Sequence, residues 1–311
     1  MIKIEKYKKE FEKEYFTVVK SKVPPKDQKK IVKYLENHFS NLIEGEITFE
    51  KWILADYETI KKAYDQVPHY DGDNKDPEIF TESKGKLKAI YKRYYKAYDA
   101  VREETIDGKK VNIYLVNESK IDVCPYCNRN YITARGETVS GAQLDHFINR
   151  SQYPIFALCL YNLVPCCNVC NLIKKKKELK ISPFDQTLND GCVTFTKTGT
   201  LLEDNLAVKV DAKGDIGVNM DVLRLQEAYD FHIKDLKELV ELREMYPETQ
   251  LDEICELING ERRTAGKADL NSTDIRNMIF GKQVPYEEYG KKPLSKFRHD
   301  ILKQLNIYTS E

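Results

Sequence analysis

The sequence predicts an α+β fold in which mainly helical N- and C-terminal regions flank a small central module rich in cysteine. Three observations predict it. Apolar residues recur at helical spacing before about residue 105 and again after about 220. Between these regions lie short runs with strand-like composition. Two Cys-x-x-Cys pairs fall in that same central stretch. The expected division is a helical region over 1–110, a central module over 111–190, and short strands followed by helices over 191–311.

In chain order, helices are expected over Lys3–Val19, Lys26–Phe39 and Phe49–Ala63, with Pro24-Pro25 separating the first two. The lone Trp52 reads as a core residue. Residues 67–77 (VPHYDGDNKDP) have the composition of an exposed loop. A helix follows over 87–101, with Leu87, Ile90, Tyr91, Tyr94, Tyr98 and Val101 on one face. Lys88, Lys92 and Lys96 mark another face, read as solvated in preference to phosphate-contacting. The run Val111–Val116 is expected to be a strand. Two more short strands are expected over Cys192–Thr196 and Leu206–Val210, with Gly199 in the connecting turn. Helical spacing returns at Val222, Leu225, Tyr229, Ile233, Leu236 and Val240. Two shorter helices are expected to end at Gly260 and Gly281, and a last one to span Pro293–Leu305.

The 311 residues suffice for one large domain or several small ones, and 41% hydrophobic content supports a real core. Lys+Arg and Asp+Glu are both 50. Zero net charge argues against a wholly basic nucleic-acid coat protein but allows a local basic groove. The N-terminus is charged from Lys3 and lacks a signal-peptide core. The most apolar stretch, Tyr153–Cys167, is interrupted by Asn162 and Pro165 and is too short to span a bilayer. A cytosolic protein with no membrane association is expected.

In the cytosol, clustered cysteines point to metal rather than to disulfides. Cys124-Pro-Tyr-Cys127 and Cys167-Asn-Val-Cys170 offer four thiolates on two tight turns. Soft sulfur ligands select zinc, and four of them leave no open position, so the ion is expected to be structural. Cys166 offers a competing register and is assigned to packing, as are Cys159 and Cys255. A closed zinc site has no use for Asp145-His146, Asn162 and Asn171, which are interleaved with the cysteines. That order of carboxylate, imidazole and two amides points to chemistry beside the metal.

The strings LDHFINRSQYP and YNLVPCCNVCNLIKK resemble the HNH endonuclease motif in its four-cysteine zinc variant. The resemblance covers roughly residues 120–180. Beyond it, Cys-Pro-Tyr-Cys, Asp-His-Phe and Ser-x-Tyr-Pro are similar to the PtuB-like nuclease subunits found beside ATPases in Septu-type anti-phage defence systems. The resemblance implies a ββα-metal fold, with Asp145-His146 ending a strand and Asn171 near the start of a helix. It implies metal-dependent hydrolysis of phosphodiester bonds in DNA, with a partner ATPase. His146 would be the general base, with an ordinary pKa near neutrality. Asp145 and Asn171 would hold one Mg²⁺ or Mn²⁺, since an amide oxygen is a hard ligand. Asn162 would orient His146 or brace the loop. Arg150, Lys174 and Lys175 are the candidate substrate-binding residues. Two other readings stand beside this one: a non-catalytic zinc module that binds nucleic acid or protein, and an RNA-directed toxin with the same centre.

Overall fold

A computed structural model describes residues 1–67 and 86–308, and within 86–95 the side chains of 93, 94 only. The expected loop beyond residue 67 and the side chains of Lys88 and Lys92 lie outside the described residues; Lys96 is exposed. The fold is α+β and divides into two compact units, Met1–Leu188 and Asn189–Glu311. The helical region to 110 and the cysteine-rich module therefore belong to one unit. Among the described residues no helix is long and apolar enough to cross a membrane.

The first unit begins with helices α1 (Lys9–Lys22), α2 (Pro25–Phe39), α3 (Phe49–Ile53), α4 (Tyr57–Gln66) and α5 (Lys86–Glu103). Helix α1 starts later than expected, and the segment before it is tied to the cysteine-rich module, Ile2 N donating to Pro125 O and Ile4 N to Pro183 O. The single helix expected over Phe49–Ala63 is two, because the Asp56 side chain accepts from Thr59 N and caps a new start. A two-residue hairpin, β1 (Thr105–Ile106) with β2 (Lys109–Lys110), follows. Val111–Val116 is not a strand but the body of helix α6 (Val111–Glu118). A short apolar run carries no decisive period, and burial of Val111, Ile113, Leu115 and Val116 on several sides suits either form.

Strand β3 (Gln143–His146) pairs antiparallel with β4 (Leu163–Cys166), Asp145 opposite Val164 and His146 opposite Leu163. Helix α7 (Asn168–Lys174) follows β4 directly. The N-terminal helices grip the loop between β3 and β4. Tyr15 Oη donates to Leu158 O at 3.0 Å, and Trp52 Nε1 to Ile155 O at 3.1 Å. Tyr161 Oη donates to the buried Glu12 at 2.7 Å. Trp52 is fully buried, as expected of a core residue.

In the second unit β5 (Val193–Thr198) and β6 (Ala207–Ala212) form the expected hairpin. Gly199 has φ +72°, and a Cβ there would lie 2.2 Å from Asn205 O, so the turn requires glycine. The helices are α8 (Ile216–Leu223), α9 (Leu225–Asp230), α10 (Ile233–Met245), α11 (Glu248–Thr264), α12 (Ser272–Phe280) and α13 (Ser295–Gln304). Left-handed Arg224 breaks the run expected to continue through Val222 and Leu225. Gly281 ends α12 as expected, but Gly260 lies inside α11, which continues for another turn. Helix α13 lies against β5, where Asp300 Oδ2 accepts from Phe195 N at 2.8 Å.

Between α2 and α5, the buried Asp27 carboxylate accepts from Arg93 Nε at 2.9 Å and Nη2 at 3.0 Å. These bonds hold its carboxyl below the usual range, against the opposing effect of burial. A depressed folded-state pKa adds stability above the unfolded value near about 3.9, and that stability is lost as pH falls through the folded value. Asp27→Asn is expected to lower the urea midpoint at neutral pH, and the gap from wild type to close below about pH 4. A gap that persisted in acid would show that the ion pair is not its source.

Candidate functional site

The two cysteine pairs meet. Cys124, Cys127, Cys167 and Cys170 are all buried, with their sulfurs within 4.8 Å of one another. Cys127 Sγ and Cys167 Sγ lie 3.9 Å apart. Thiolates bound to tetrahedral zinc at about 2.3 Å would lie about 3.8 Å apart, so the donor set and its spacing can hold a metal ion such as zinc. The Cys124–Cys127 turn is closed by Asn128 N donating to Cys124 O and Cys124 N to Asn130 O. Cys167 caps α7, its sulfur accepting from Cys170 N at 3.5 Å and from Asn130 Nδ2 at 3.4 Å. Hydrogen bonds from Cys124, Cys127 and Cys170 pull the Cys167 thiol far below its ordinary range, whereas burial pushes Cys124 up. Cys159 and Cys166 are buried outside the cluster, and Cys255 is half-buried.

Strand β3 ends on Asp145 and His146, both buried. His146 Nε2 lies 3.0 Å from Ala157 O. A carbonyl only accepts, so Nε2 carries the proton and Nδ1 keeps its lone pair. Burial, reinforced by the positive charge of Arg150, pushes the imidazole pKa down to about 3. The near-neutral pKa expected for this residue is therefore not found, because most of the ring is buried, with the Tyr98 ring edge-on at 4.4 Å.

Asp145 is held from two sides. Its Oδ1 accepts from Lys174 Nζ at 2.9 Å, and its Oδ2 from Tyr126 Oη at 2.7 Å. The same ammonium donates to His146 O at 2.9 Å. Lys174 is fully buried, which corrects its expected place among the substrate-facing lysines. Its position one turn beyond Cys170 points it inward, towards β3.

Asn162 does not touch the imidazole. Its Oδ1 accepts from Ile148 N at 2.7 Å, and its Nδ2 donates to Ile148 O and Phe156 O at 3.1 and 3.0 Å. Of the two roles expected for it, bracing the loop is the one observed. That loop carries Ala157, so Asn162 acts on His146 at one remove.

Asp145, His146, Arg150, Asn171 and Lys175 line one polar cleft of about 440 Å³. Tyr98 and Arg102 of α5 and Asn112 of α6 also line it. The Arg150 guanidinium lies over the Tyr98 ring at 4.6 Å and pairs with Asp99 at 3.1 Å. Tyr98, Arg102 and Tyr126 were not among the residues expected at the site. Tyr98 carries the apolar period of α5, and Tyr126 sits inside Cys-Pro-Tyr-Cys, so each has a simpler reading in sequence. The second unit holds another group, Asp190, His299 and Asp300, with ligand atoms within 4.8 Å. There Lys296 already bridges both carboxylates, at 2.7 and 2.8 Å.

Compared with known proteins, the chain matches no family model, no curated protein and no solved structure.

Lys174→Ala is expected to destabilise the protein by roughly 3 kcal/mol or more, because it strands a buried carboxylate. Asp145→Leu combined with Lys174→Met should recover much of that loss. Urea unfolding of the two variants measures both. An unchanged midpoint for Lys174→Ala would exclude the ion pair as a structural element.

Proposed function

We propose that the protein is an HNH-type, metal-dependent endonuclease that hydrolyses phosphodiester bonds of DNA, with a structural zinc in the four-cysteine cluster. The observation that carries this reading is His146 at the end of β3. One ring nitrogen is tied to Ala157 O and the other is left with its lone pair, on a cleft shared with Asp145, Asn171, Arg150 and Lys175. The antiparallel β3–β4 pair followed directly by α7, with a cysteine cluster beside it, supports it further.

His146 Nδ1 takes a proton from the attacking water. An imidazole with pKa about 3 stands in its neutral, accepting form at physiological pH. The anionic phosphate entering beside it raises its basicity towards the range in which transfer is effective. Arg150 and Lys175 hold the phosphate, Arg150 prepositioned by Tyr98 and Asp99. Asp145 and Asn171 offer hard oxygens suited to Mg²⁺ or Mn²⁺, and the Asp145 oxygens keep lone pairs beyond those used by Lys174 and Tyr126. Such an ion, when bound, neutralises charge on the phosphate and on the leaving oxygen. Contacts of this kind read backbone rather than bases, so low sequence specificity follows. DNA as substrate, a partner ATPase and a role in anti-phage defence rest on the resemblance of the motif.

Purified protein is expected to nick or linearise supercoiled plasmid with Mg²⁺ or Mn²⁺. His146→Ala should lower the rate by roughly 100- to 10,000-fold, and EDTA should abolish cleavage. Cleavage of RNA alone would favour the toxin reading. Silence on both, with and without an ATPase, would favour a binding module. Elemental analysis should find about one zinc per chain, lost with unfolding in Cys167→Ser. Absence of zinc from protein that remains folded would overturn the structural-zinc assignment.

A further inference from the structure

Of the two groups that hold Asp145, one lies within a cysteine pair and the other on the helix that carries Cys170. Tyr126 lies between Cys124 and Cys127, in the first turn of the cluster, and donates to Oδ2 at 2.7 Å. Lys174 lies one helical turn beyond Cys170, on the helix that Cys167 caps, and pairs with Oδ1 at 2.9 Å. Each cysteine pair thus sends one side chain to one oxygen of the same carboxylate. Tyr126 and Lys174 are both fully buried, and Asp145 is 3% exposed. A carboxylate oxygen only accepts, so the Tyr126 phenol is the donor in this bond.

We infer that the cysteine cluster positions the catalytic centre, with Tyr126 as the positioning residue that transmits its geometry to Asp145. This rests on the nuclease reading, in which Asp145 holds the divalent ion. A carboxylate gripped at one oxygen alone can still turn about its Cβ–Cγ bond. Gripped at both, it presents its remaining lone pairs in one direction. Groups that orient a metal ligand from behind set the affinity of the ion that the ligand holds. A cluster that only stapled the fold would need no side chain between its own ligands reaching the carboxylate of the site.

The test is Mn²⁺ binding, by calorimetry on the full-length, zinc-loaded protein, for wild type, Asp145→Ala and Tyr126→Phe, beside plasmid cleavage. The phenylalanine keeps the ring and removes one oxygen. Tyr126→Phe is expected to keep its zinc and its unfolding midpoint to within a small shift. Its Mn²⁺ affinity and kcat should fall roughly 10- to 100-fold, with KM for plasmid little changed. Mn²⁺ affinity within about twofold of wild type would overturn the inference while leaving the nuclease reading intact. Loss of zinc by Tyr126→Phe would also overturn it, making Tyr126 a packing residue of the turn. If wild type and Asp145→Ala bind Mn²⁺ alike, the divalent site at Asp145 is wrong, and the inference falls with it.

Discussion

A carboxylate buried at the end of a four-residue strand is costly unless its charge is met. Asp145 is met by Lys174 and Tyr126, and much of the first unit is arranged so that both can reach it. Lys174 must emerge from α7 on its inner face, which constrains where α7 starts and hence where Cys167 and Cys170 stand. Tyr126 must point inward from a tight turn, which constrains the other cysteine pair. The same ammonium fastens the backbone of His146. One ion pair thus ties together the strand that carries Asp145 and His146, the helix that follows β4, and the four-cysteine cluster.

Around that pair, the loop joining β3 to β4 does the second half of the positioning. Ala157 O selects the tautomer of His146, and its place depends on Asn162, which stitches the loop to itself by three hydrogen bonds. The loop is also anchored from outside by Trp52 and Tyr15, whose donors end on Ile155 and Leu158. The N-terminal helices are therefore part of what sets the site. Tyr98 makes the same point directly, packing edge-on with the imidazole and lying under the Arg150 guanidinium.

Burial has a chemical consequence. An imidazole enclosed by Tyr98 and its own loop, with the positive charge of Arg150 nearby, stays neutral with Nε2 committed. Its proton-accepting nitrogen is then chosen by the fold and not by the pH of the solution. The cleft it opens on is polar and of mixed charge, with Arg102, Arg150 and Lys175 beside Glu103 and Asp145.

Spacing alone marked each cysteine pair, since two residues between thiols on a tight turn let both sulfurs face one ion. The meeting of the two pairs across 40 residues belongs to the tertiary structure. The spans of helices α2 and α5 and the glycine turn at 199 were equally local and equally legible. Helix α6 was not, because a short apolar run buried on several sides has no period to read. Lys174 was hidden for a related reason. Within four consecutive lysines nothing marks the one that turns inward, since that depends on the helix's start and on a carboxylate 29 residues away in the chain. Tyr98 looked like a core residue, which it also is, and Tyr126 like a spacer within its cysteine turn. What only the tertiary structure decided was which groups share a cleft and which protonation state burial imposes, because both depend on contacts between residues far apart in sequence.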